Sequence, residues 1–453
     1  MSDTIAAIAT GSQLTAIGIV RLSGEQSIEF ADRLFRPLSG RAMSSYPDRT
    51  LVYGSLLDTD GRVMDLCLCT ISRGPASYTG EDTAELQCHG SPAVLRQAME
   101  ALFKLGARQA EPGEFTKRAF LNGRMGLVQA EAVADLVDAE TAECAKNAAG
   151  QLGGAIQKRS DAIYSQLADM CSHYHAVLDY PDEDIEDFRL ENYRAALTGA
   201  IRDMTALLAT FSRGRIMLEG VPAVITGIPN AGKSSLLNAL LGYDRAIVTN
   251  IPGTTRDTIE EKLSFGGVTL RLTDTAGVRA GGDEIEKLGV ERSRRAMESA
   301  ELAIAVADGS REISAGDLEI IRAAAAVPHC VVVLSKLDLG AVPQPLIPAG
   351  LPVVRVSSVT GQGTDELEMV IAAMFPSPDV PAGEILTNAR QADAVSRALD
   401  SLKAAKGAMD AGFTPDAVLT EAEEAMEALG LLTGRSASAD ITDRIFSRFC
   451  VGK

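Results

Sequence analysis

The sequence predicts three structural parts: an α+β domain at the N-terminus, an α-helical domain that is discontinuous in the chain, and an α/β domain inserted into the helical one. First, 453 residues exceed what one hydrophobic core usually holds. Second, Ala-rich stretches with apolar residues three and four positions apart lie on both sides of residues 216–379. Third, short Val/Ile/Leu runs alternate with helical patterns within those residues, which is typical of a doubly wound, mostly parallel sheet.

The first part, residues 1–120, alternates strand-like runs with turn residues and two helical stretches. The predicted strands are residues 17–22, 51–57, 65–71 and 83–87, and the predicted helices are residues 26–34 and 92–105. Strands and helices in this order indicate an α+β domain.

The helical part comprises residues 121–215 and 380–453. From 127 to about 208 the sequence keeps helical spacing with few breakers apart from Gly153-Gly154 and Pro181, and residues 389–411 and 418–432 show the same spacing. Two such segments must pack together to bury their apolar faces, which makes residues 216–379 an insertion. A Pro- and Gly-rich linker near 375–383 ends it.

Composition limits the function. The chain lacks the roughly 18 consecutive apolar residues of a membrane span, and an acid stands where a secretory signal has its basic region, so we expect a cytoplasmic protein without a membrane partner. A net charge of -18 argues against a surface that coats nucleic acid, so any RNA contact must use a local basic patch or a partner. Seven scattered cysteines predict reduced thiols rather than a zinc cluster.

A phosphate-binding motif stands at the start of the inserted part. Residues 227–234 match G-x-x-x-x-G-K-S and lie between a predicted strand at 221–225 and a helical run at 235–241. Such a loop wraps phosphates with backbone N–H groups, while Lys233 reaches the β- and γ-oxygens and the Ser234 hydroxyl ligates Mg²⁺. A chance Gly-rich turn is the alternative.

Three further segments follow the predicted strands at 268–273, 330–334 and 353–356, and another strand is predicted at 302–307. Asp274 and Gly277 form a D-x-x-G segment suited to Mg²⁺ and a γ-phosphate, although this pattern alone is common by chance. Asp338 in Ser-Lys-Leu-Asp can accept hydrogen bonds from the two ring donors of guanine, which adenine lacks. Ser357-Ser358-Val359 can contact the base oxygen through backbone N–H groups. Together the four segments predict GTP binding and hydrolysis.

Longer motifs carry a family resemblance. Asn230, residues 253–257 (Gly-Thr-Thr-Arg-Asp) and residues 274–279 (Asp-Thr-Ala-Gly-Val-Arg) resemble the TrmE–Era–Obg group of translation GTPases. Residues 77–82, 112–123 and the terminal Phe-Cys-Val-Gly-Lys at 449–453 resemble the tRNA modification GTPases of the MnmE (TrmE) family. The resemblance covers the whole chain. It implies an N-terminal tetrahydrofolate-binding and dimerisation domain and a helical domain enclosing a P-loop GTPase domain.

The resemblance also implies a reaction. A homodimer would act with the FAD-dependent partner MnmG on certain tRNAs, adding a carboxymethylaminomethyl or aminomethyl group to carbon 5 of the wobble uridine at position 34. The one-carbon unit would come from 5-formyl- or 5,10-methylene-tetrahydrofolate, and FAD would enter only through the partner. A ribosome-assembly or signalling GTPase switch, and a folate enzyme with a regulatory GTPase domain, are the alternative functions.

The resemblance assigns roles to individual residues. Mg²⁺ would be held by Ser234 and Thr255, and K⁺ by Asn230, Thr249, Ile251 and Thr254. Valine at position 278 replaces the glutamine with which other GTPases orient water, so K⁺ would supply the missing charge and Glu286 would position the water. A solvated carboxylate is the alternative for Glu286. The implied GTP contacts are Asn230, Ala231, Gly232, Lys233, Ser234, Ser235, Thr249, Asn250, Ile251, Pro252, Gly253, Thr254, Thr255, Asp274, Thr275, Ala276, Gly277, Ser335, Lys336, Asp338, Ser357, Ser358 and Val359.

A folate site is implied as well. Its matching residues are Arg21, Glu81, Arg124 and Lys453, with Tyr78 and Lys117 as looser candidates. Each of these could equally be an ordinary surface group. The resemblance places Cys450 near the folate and the modification site, as a catalytic candidate whose chemical role is open; an inert, frayed tail is the alternative.

The sequence departs from the family's usual sequence at two places, and two groups of cysteine residues allow further predictions. The family usually has Asn at position 335, and Ser335 cannot brace the phosphate loop as an amide does, so we expect weaker guanine binding with specificity kept by Asp338. Residues 10–16 lack the Pro- and Gly/Arg-rich turn often seen before the strand that follows. Cys171, His173 and His175 do not share a helix face, which favours packing and surface roles over a metal site. Cys67 and Cys69 alternate on a predicted strand and are expected in the core.

Overall fold

The computed structural model describes residues 3–11, 14–180, 189–242, 261–265, 268–272, 297–344, 346–375, 380–436, 439–447 and 449–452. The chain forms two compact units, and both are discontinuous in sequence. The first unit consists of Met1–Ala134, Gln151–Ile201 and Arg397–Lys453, and the second of Asp135–Gly150 and Arg202–Ser396.

A seven-stranded sheet forms the N-terminal domain within the first unit. The strands are β1 (Ile5–Ile8), β2 (Ile17–Ser23), β3 (Phe35–Pro37), β4 (Val52–Leu57), β5 (Val63–Ser72), β6 (Thr83–His89) and β7 (Arg108–Gln109), in the order β3-β4-β5-β6-β2-β1-β7. Only the β1–β7 pair is parallel. The four predicted strands are confirmed, whereas the shorter β1, β3 and β7 escaped prediction because two to four residues show little periodicity.

Helices cover one face of this sheet. These helices are α1 (Ser27–Leu34) and α2 (Pro92–Leu105). Another helix, α3 (Glu114–Leu121), follows α2 in the chain. Phe30 and Leu34 of α1 and Leu95 and Leu102 of α2 are buried in one core cluster with the inward side chains of the strands. Proline in the first turn of α2 and Gly106 in the left-handed conformation at its end explain why the predicted bounds of this helix are confirmed.

Ala-rich helices continue from there: α4 (Leu127–Val137), α5 (Ala142–Leu152), α6 (Ala155–Asp179), α7 (Arg194–Ala209) and α8 (Phe211–Glu219). The predicted break at Gly153-Gly154 separates α5 from α6, because Gly154 adopts a φ of 83°.

The inserted part is a six-stranded α/β domain with strand order β13-β12-β11-β8-β10-β9. Its elements are β8 (Val221–Thr226), α9 (Lys233–Leu241), β9 (Glu261–Phe265), β10 (Val268–Leu272), β11 (Leu302–Asp308), α10 (Ala315–Ala324), β12 (His329–Ser335), β13 (Val353–Arg355) and α11 (Thr364–Met374). All neighbours pair parallel except β9 with β10. Val331 and Val333 enter one core cluster and Val332 and Leu334 another, so both faces of the sheet are buried, as expected for a parallel sheet.

The chain ends in a second helical segment: α12 (Ala389–Asp410), α13 (Pro415–Thr433) and α14 (Ala439–Phe446). Within the first unit, α13 packs on α6, with Tyr174 Oη donating to Asp416 at 2.5 Å and His175 lying 3.6 Å from Glu423. The two helical segments therefore pack together, which confirms a discontinuous helical domain with an α/β domain inserted into its sequence. Among the described residues, no helix is long and apolar enough to cross a membrane.

Candidate functional site

The phosphate loop joins β8 to α9 at the carboxyl edge of the parallel sheet. At Gly227 the backbone passes so close to β11 that a Cβ would lie 2.3 Å from the Val306 carbonyl oxygen, and φ is 156°. Asn230 and Gly232 have φ values of 61° and 99°. These left-handed residues turn the loop at the N-terminus of α9, where free backbone N–H groups and the helix dipole favour an anion.

Lys233 is held against this loop. Its Nζ donates hydrogen bonds to the carbonyl oxygens of Gly227 at 2.8 Å and Ile228 at 2.9 Å. Burial lowers the pKa of this ammonium because desolvation penalises the charged form. A phosphate placed in the loop would offer the cation stronger acceptors than two carbonyl groups.

Ser335 joins the end of β12 to the phosphate loop. Its Oγ donates to the Ala231 carbonyl oxygen at 2.5 Å, and the Ala307 carbonyl oxygen lies 3.2 Å away. The residue is buried. Ser335 thus contacts the loop backbone through its hydroxyl, and the weaker guanine binding expected from the missing amide stays a prediction.

Lys336 adopts a φ of 59° and turns its side chain back toward β11, where Nζ lies 2.7 Å from Asp308 Oδ2. Burial alone would raise the pKa of Asp308, but hydrogen bonds from Lys336 and Ser310 outweigh it and lower the pKa to about 2. The ion pair is thus intact at neutral pH. Sequence reasoning missed Asp308, although an acid ending a strand beside the one that precedes Lys336 was a usable signal.

Asp338 lies beside the last predicted segment. Ser357 Oγ donates to Asp338 Oδ1 at 2.7 Å, and Ser357 is buried while Val359 is exposed. Ser357 Oγ also accepts the Thr360 N–H at 3.2 Å. The fold therefore joins the Ser335–Asp338 segment to the phosphate loop through Ser335 and to residues 357–359 through Ser357. Asn230, Ser234 and Ser235 are exposed on the loop and the first turn of α9.

Several predicted site residues lie outside the described residues, and their roles stay predictions. They are Thr249, Asn250, Ile251, Pro252, Gly253, Thr254, Thr255, Asp274, Thr275, Ala276, Gly277, Glu286 and Lys453.

A second polar cluster lies in the N-terminal domain around Glu81. Its Oε2 accepts hydrogen bonds from Ser23 Oγ at 2.7 Å and from Arg118 at 3.0 Å. Arg118 is mostly buried and also contacts Asp3 and Glu114. Burial opposes its charge, but the hydrogen bonds that Arg118 donates to Glu81, Glu114 and Asp3 raise its pKa. Sequence reasoning did not single out Arg118, although it stands within the quoted motif at 112–123.

The C-terminal tail docks beside this cluster. Val451 forms an antiparallel bridge with Pro112, and the Gly113 N–H donates to the Cys450 carbonyl oxygen at 3.3 Å. Gly452 has a φ of 97°, and a Cβ there would lie 2.7 Å from the Ile8 carbonyl oxygen, so only glycine fits. Residues 450–452 are therefore docked rather than frayed, with the Cys450 side chain exposed.

Arg21 connects the tail to the loop that carries Glu81. It donates to the Gly452 carbonyl oxygen at 3.5 Å and to Glu85 at 2.9 Å, and its guanidinium carbon lies 5.9 Å from the Tyr78 ring centroid. Arg124 lies against the same loop, because a Cβ atom on Gly80 would lie 3.4 Å from Arg124 Cγ. Lys117 instead pairs with Asp443 of α14 at 2.6 Å.

The positions predicted for the remaining cysteines and histidines, in the core or at the surface, are confirmed. Cys171 is buried, His173 Nδ1 contacts Tyr193 Oη at 2.6 Å, and the exposed His175 lies 3.6 Å from Glu423, which fits packing and surface roles. Cys67 and Cys69 are buried in the core of the N-terminal domain.

The phosphate loop lies at a strand–helix junction and is hydrogen-bonded to the Ser-Lys-Leu-Asp segment at the same edge of the sheet. This arrangement defines a P-loop GTPase domain. Family models described as the MnmE helical domain and the GTP-binding protein TrmE N-terminus match residues 127–450 and 4–124. The chain belongs to the family of the tRNA modification GTPase MnmE.

Curated relatives span the full length. The proteins named tRNA modification GTPase MnmE from Symbiobacterium thermophilum and Roseiflexus sp. strain RS-1 are each 42% identical to the chain, covering 100% of it and 99% of the relative. The protein of the same name from Alkaliphilus oremlandii is 40% identical to the chain, and the match covers 100% of the chain and 100% of that relative. Together with the nucleotide site, this membership makes the chain a GTPase of tRNA modification.

Proposed function

We propose that this GTPase acts with a FAD-dependent partner of the MnmG kind to add a carboxymethylaminomethyl or aminomethyl group to carbon 5 of the wobble uridine. The one-carbon unit comes from a tetrahydrofolate bound by the N-terminal domain of a homodimer. The observation that carries the proposal is the docked tail, which brings Cys450 to the domain that holds Glu81 and Arg21. A GTPase switch alone has no need of this arrangement.

The residues around the tail suit a folate. A pterin presents ring N–H donors to a carboxylate, and Glu81 is held in one orientation by Arg118 and Ser23. A folate tail ends in carboxylates, for which Arg124 and Lys453 supply cations. Tyr78 is 42% exposed, and its ring centroid lies 5.9 Å from the Arg21 guanidinium carbon, so an aromatic ring beside Arg21 is open to a bicyclic ligand.

GTP hydrolysis in this proposal depends on two cations. Ser234 and Thr255 hold Mg²⁺, while Asn230, Thr249, Ile251 and Thr254 hold K⁺, which supplies positive charge to the transition state. Asn230 is exposed on the phosphate loop with a φ of 61°, so its amide is available to a ligand beside the phosphates. Asp274 and Gly277 support Mg²⁺ and the γ-phosphate, and Glu286 orients the water.

The folate assignment predicts a selective loss in the Glu81→Gln variant. An amide cannot accept two N–H donors as a carboxylate does, so 5-formyltetrahydrofolate should bind at least about tenfold more weakly. GTP affinity should be unchanged. Isothermal titration with each ligand measures both.

Glu100→Gln, an exposed change on α2, is the matched control and should bind both ligands normally. No heat from wild-type protein with 5-formyltetrahydrofolate, alongside clear GTP binding, would refute the folate part of the proposal.

Nucleoside analysis of tRNA tests the proposed function as a whole. A strain lacking the protein should accumulate wobble uridine without the carbon-5 group, and the wild-type chain should restore it. Unchanged modified nucleosides in the deletion strain, or purification with ribosomal subunits instead of a flavoprotein, would favour a ribosome-assembly switch.

A further inference from the structure

Two thiols and a carboxylate meet in the N-terminal domain without any role in the sites described above. They belong to Asp65 and Cys67 of β5 and Cys88 of β6, and one ligand atom from each lies within 4.8 Å of the other two. Within the ranges that the structure describes, this is the one group of three or more His, Cys, Asp or Glu side chains so close together.

Strand register explains the meeting. Asp65 and Cys67 are two residues apart on β5 and share a face of the sheet. The antiparallel register pairs Leu68 with Gln87 and continues to place Cys67 opposite Cys88. Both thiols face the core, with 4% and 2% of their surfaces exposed. Asp65 therefore puts a carboxylate on the apolar face of the strand, where its side chain is only 10% exposed.

His89 fixes the direction of that carboxylate. The backbone N–H of His89 donates to Asp65 Oδ2 at 2.8 Å, and the ring nitrogen Nδ1 lies 2.8 Å from Oδ1. The His89 ring is 74% exposed, so the cluster lies at the rim of the sheet. Imidazole and carboxylate pairs of this type commonly orient a metal ligand from outside the coordination sphere.

We propose that Asp65, Cys67 and Cys88 bind one thiophilic divalent cation of the zinc class, with His89 orienting Asp65 and water completing the coordination. Tetrahedral zinc with bonds of about 2.3 Å to sulfur holds two sulfur atoms about 3.8 Å apart. The ligand atoms of Asp65, Cys67 and Cys88 already lie within 4.8 Å of one another, so they need to move only slightly closer to bind such an ion. Each thiol gives up its proton as its metal–sulfur bond forms, so one cation displaces two protons to solvent. Two sulfur ligands exclude magnesium and calcium.

Cobalt(II) is the probe for this site, because thiolate ligands give it a charge-transfer absorption in the near ultraviolet. The full-length chain is reduced, freed of metal with a chelator and titrated with Co²⁺. We expect one equivalent to bind with this absorption and Zn²⁺ to displace it. Cys67→Ser and Cys88→Ala should each lower the absorption by about half or abolish binding. Asp65→Asn and His89→Ala should weaken Co²⁺ binding about tenfold or more.

Cys69→Ser is the matched control, since Cys69 is a buried thiol on the same face of β5, two residues further from the rim than Cys67. It should bind Co²⁺ like the wild type. Thermal unfolding followed by circular dichroism reports whether each variant is folded, and Asp65→Asn decides the matter if both cysteine variants unfold. Absence of a charge-transfer band, or a band that persists in the Cys67→Ser/Cys88→Ala double variant and disappears in Cys450→Ser, would overturn the proposal.

Discussion

The Asp338→Asn variant should bind GTP at least about 100-fold more weakly and should bind xanthosine triphosphate in its place. Guanine presents two N–H donors to the Asp338 carboxylate, and a site that leaves such groups unpaired typically loses several orders of magnitude in selectivity. Xanthine carries a carbonyl where guanine carries its amino group. An asparagine amide can donate to that carbonyl and accept from the neighbouring ring N–H, so the exchange restores both hydrogen bonds.

The surroundings of Asp338 make this exchange feasible. Ser357 Oγ donates to Asp338 Oδ1 at 2.7 Å, and an asparagine side-chain oxygen can accept the same hydrogen bond. The amide nitrogen then points away from Ser357, as the second carboxylate oxygen does in the wild type. The ion pair between Lys336 and Asp308 does not involve Asp338 and should persist.

Fluorescence titration with GTP, xanthosine triphosphate and ATP measures the exchange. Asp365→Asn, an exposed change at the start of α11 in the same domain, should leave all three affinities unchanged. Normal GTP binding by Asp338→Asn would show that Asp338 does not select the base. Equally weak binding of GTP and xanthosine triphosphate by this variant would show the same.

The Glu286→Ala variant should bind GTP normally and hydrolyse it at least about 100-fold more slowly, the range in which positioned acid–base groups contribute to catalysis. Valine at position 278 carries no polar group with which to orient water, so the chain needs another residue for this role. Glu286 does not belong to the phosphate loop or the base-selecting segment. Its loss should therefore reduce turnover and spare affinity.

Single-turnover hydrolysis in K⁺ buffer, together with GTP titration, separates the two effects. Glu284→Ala changes an acid two residues away and is the matched control, expected to hydrolyse GTP at the wild-type rate. Replacing K⁺ by Na⁺ should slow the wild type as well, if K⁺ supplies the charge proposed above. Hydrolysis near the wild-type rate in Glu286→Ala would contradict the role assigned to this glutamate.

Much of the fold was predictable because its signals are local. The central strands β8, β11 and β12 each appear as an apolar run, since a sheet buried on both faces requires one. The ends of α2 were marked by Pro92 and Gly106. In contrast, β7 is two residues long and exists only because Arg108 and Gln109 pair with β1. No periodicity can reveal such a strand.

Part of the nucleotide site was predictable as well. Lys233, Asp338 and the glycines of the phosphate loop were found because the loop conformation depends on a short run of residues at fixed spacing. Asp308 was missed because its partner Lys336 follows the neighbouring strand, and the acceptor of Ser335 was not predictable because the Ala231 carbonyl belongs to a distant segment.

By itself, the sequence determined the helices, the buried strands, the order of the domains, the phosphate loop and the family, because each depends on a local pattern or a contiguous motif. Only the tertiary structure decided that Arg118 holds Glu81, that Gly452 docks beside Ile8 and Arg21, and that Cys88 lies opposite Cys67. Those contacts join segments far apart in the chain. They follow from strand register and from the packing of one segment on another, which no local pattern records.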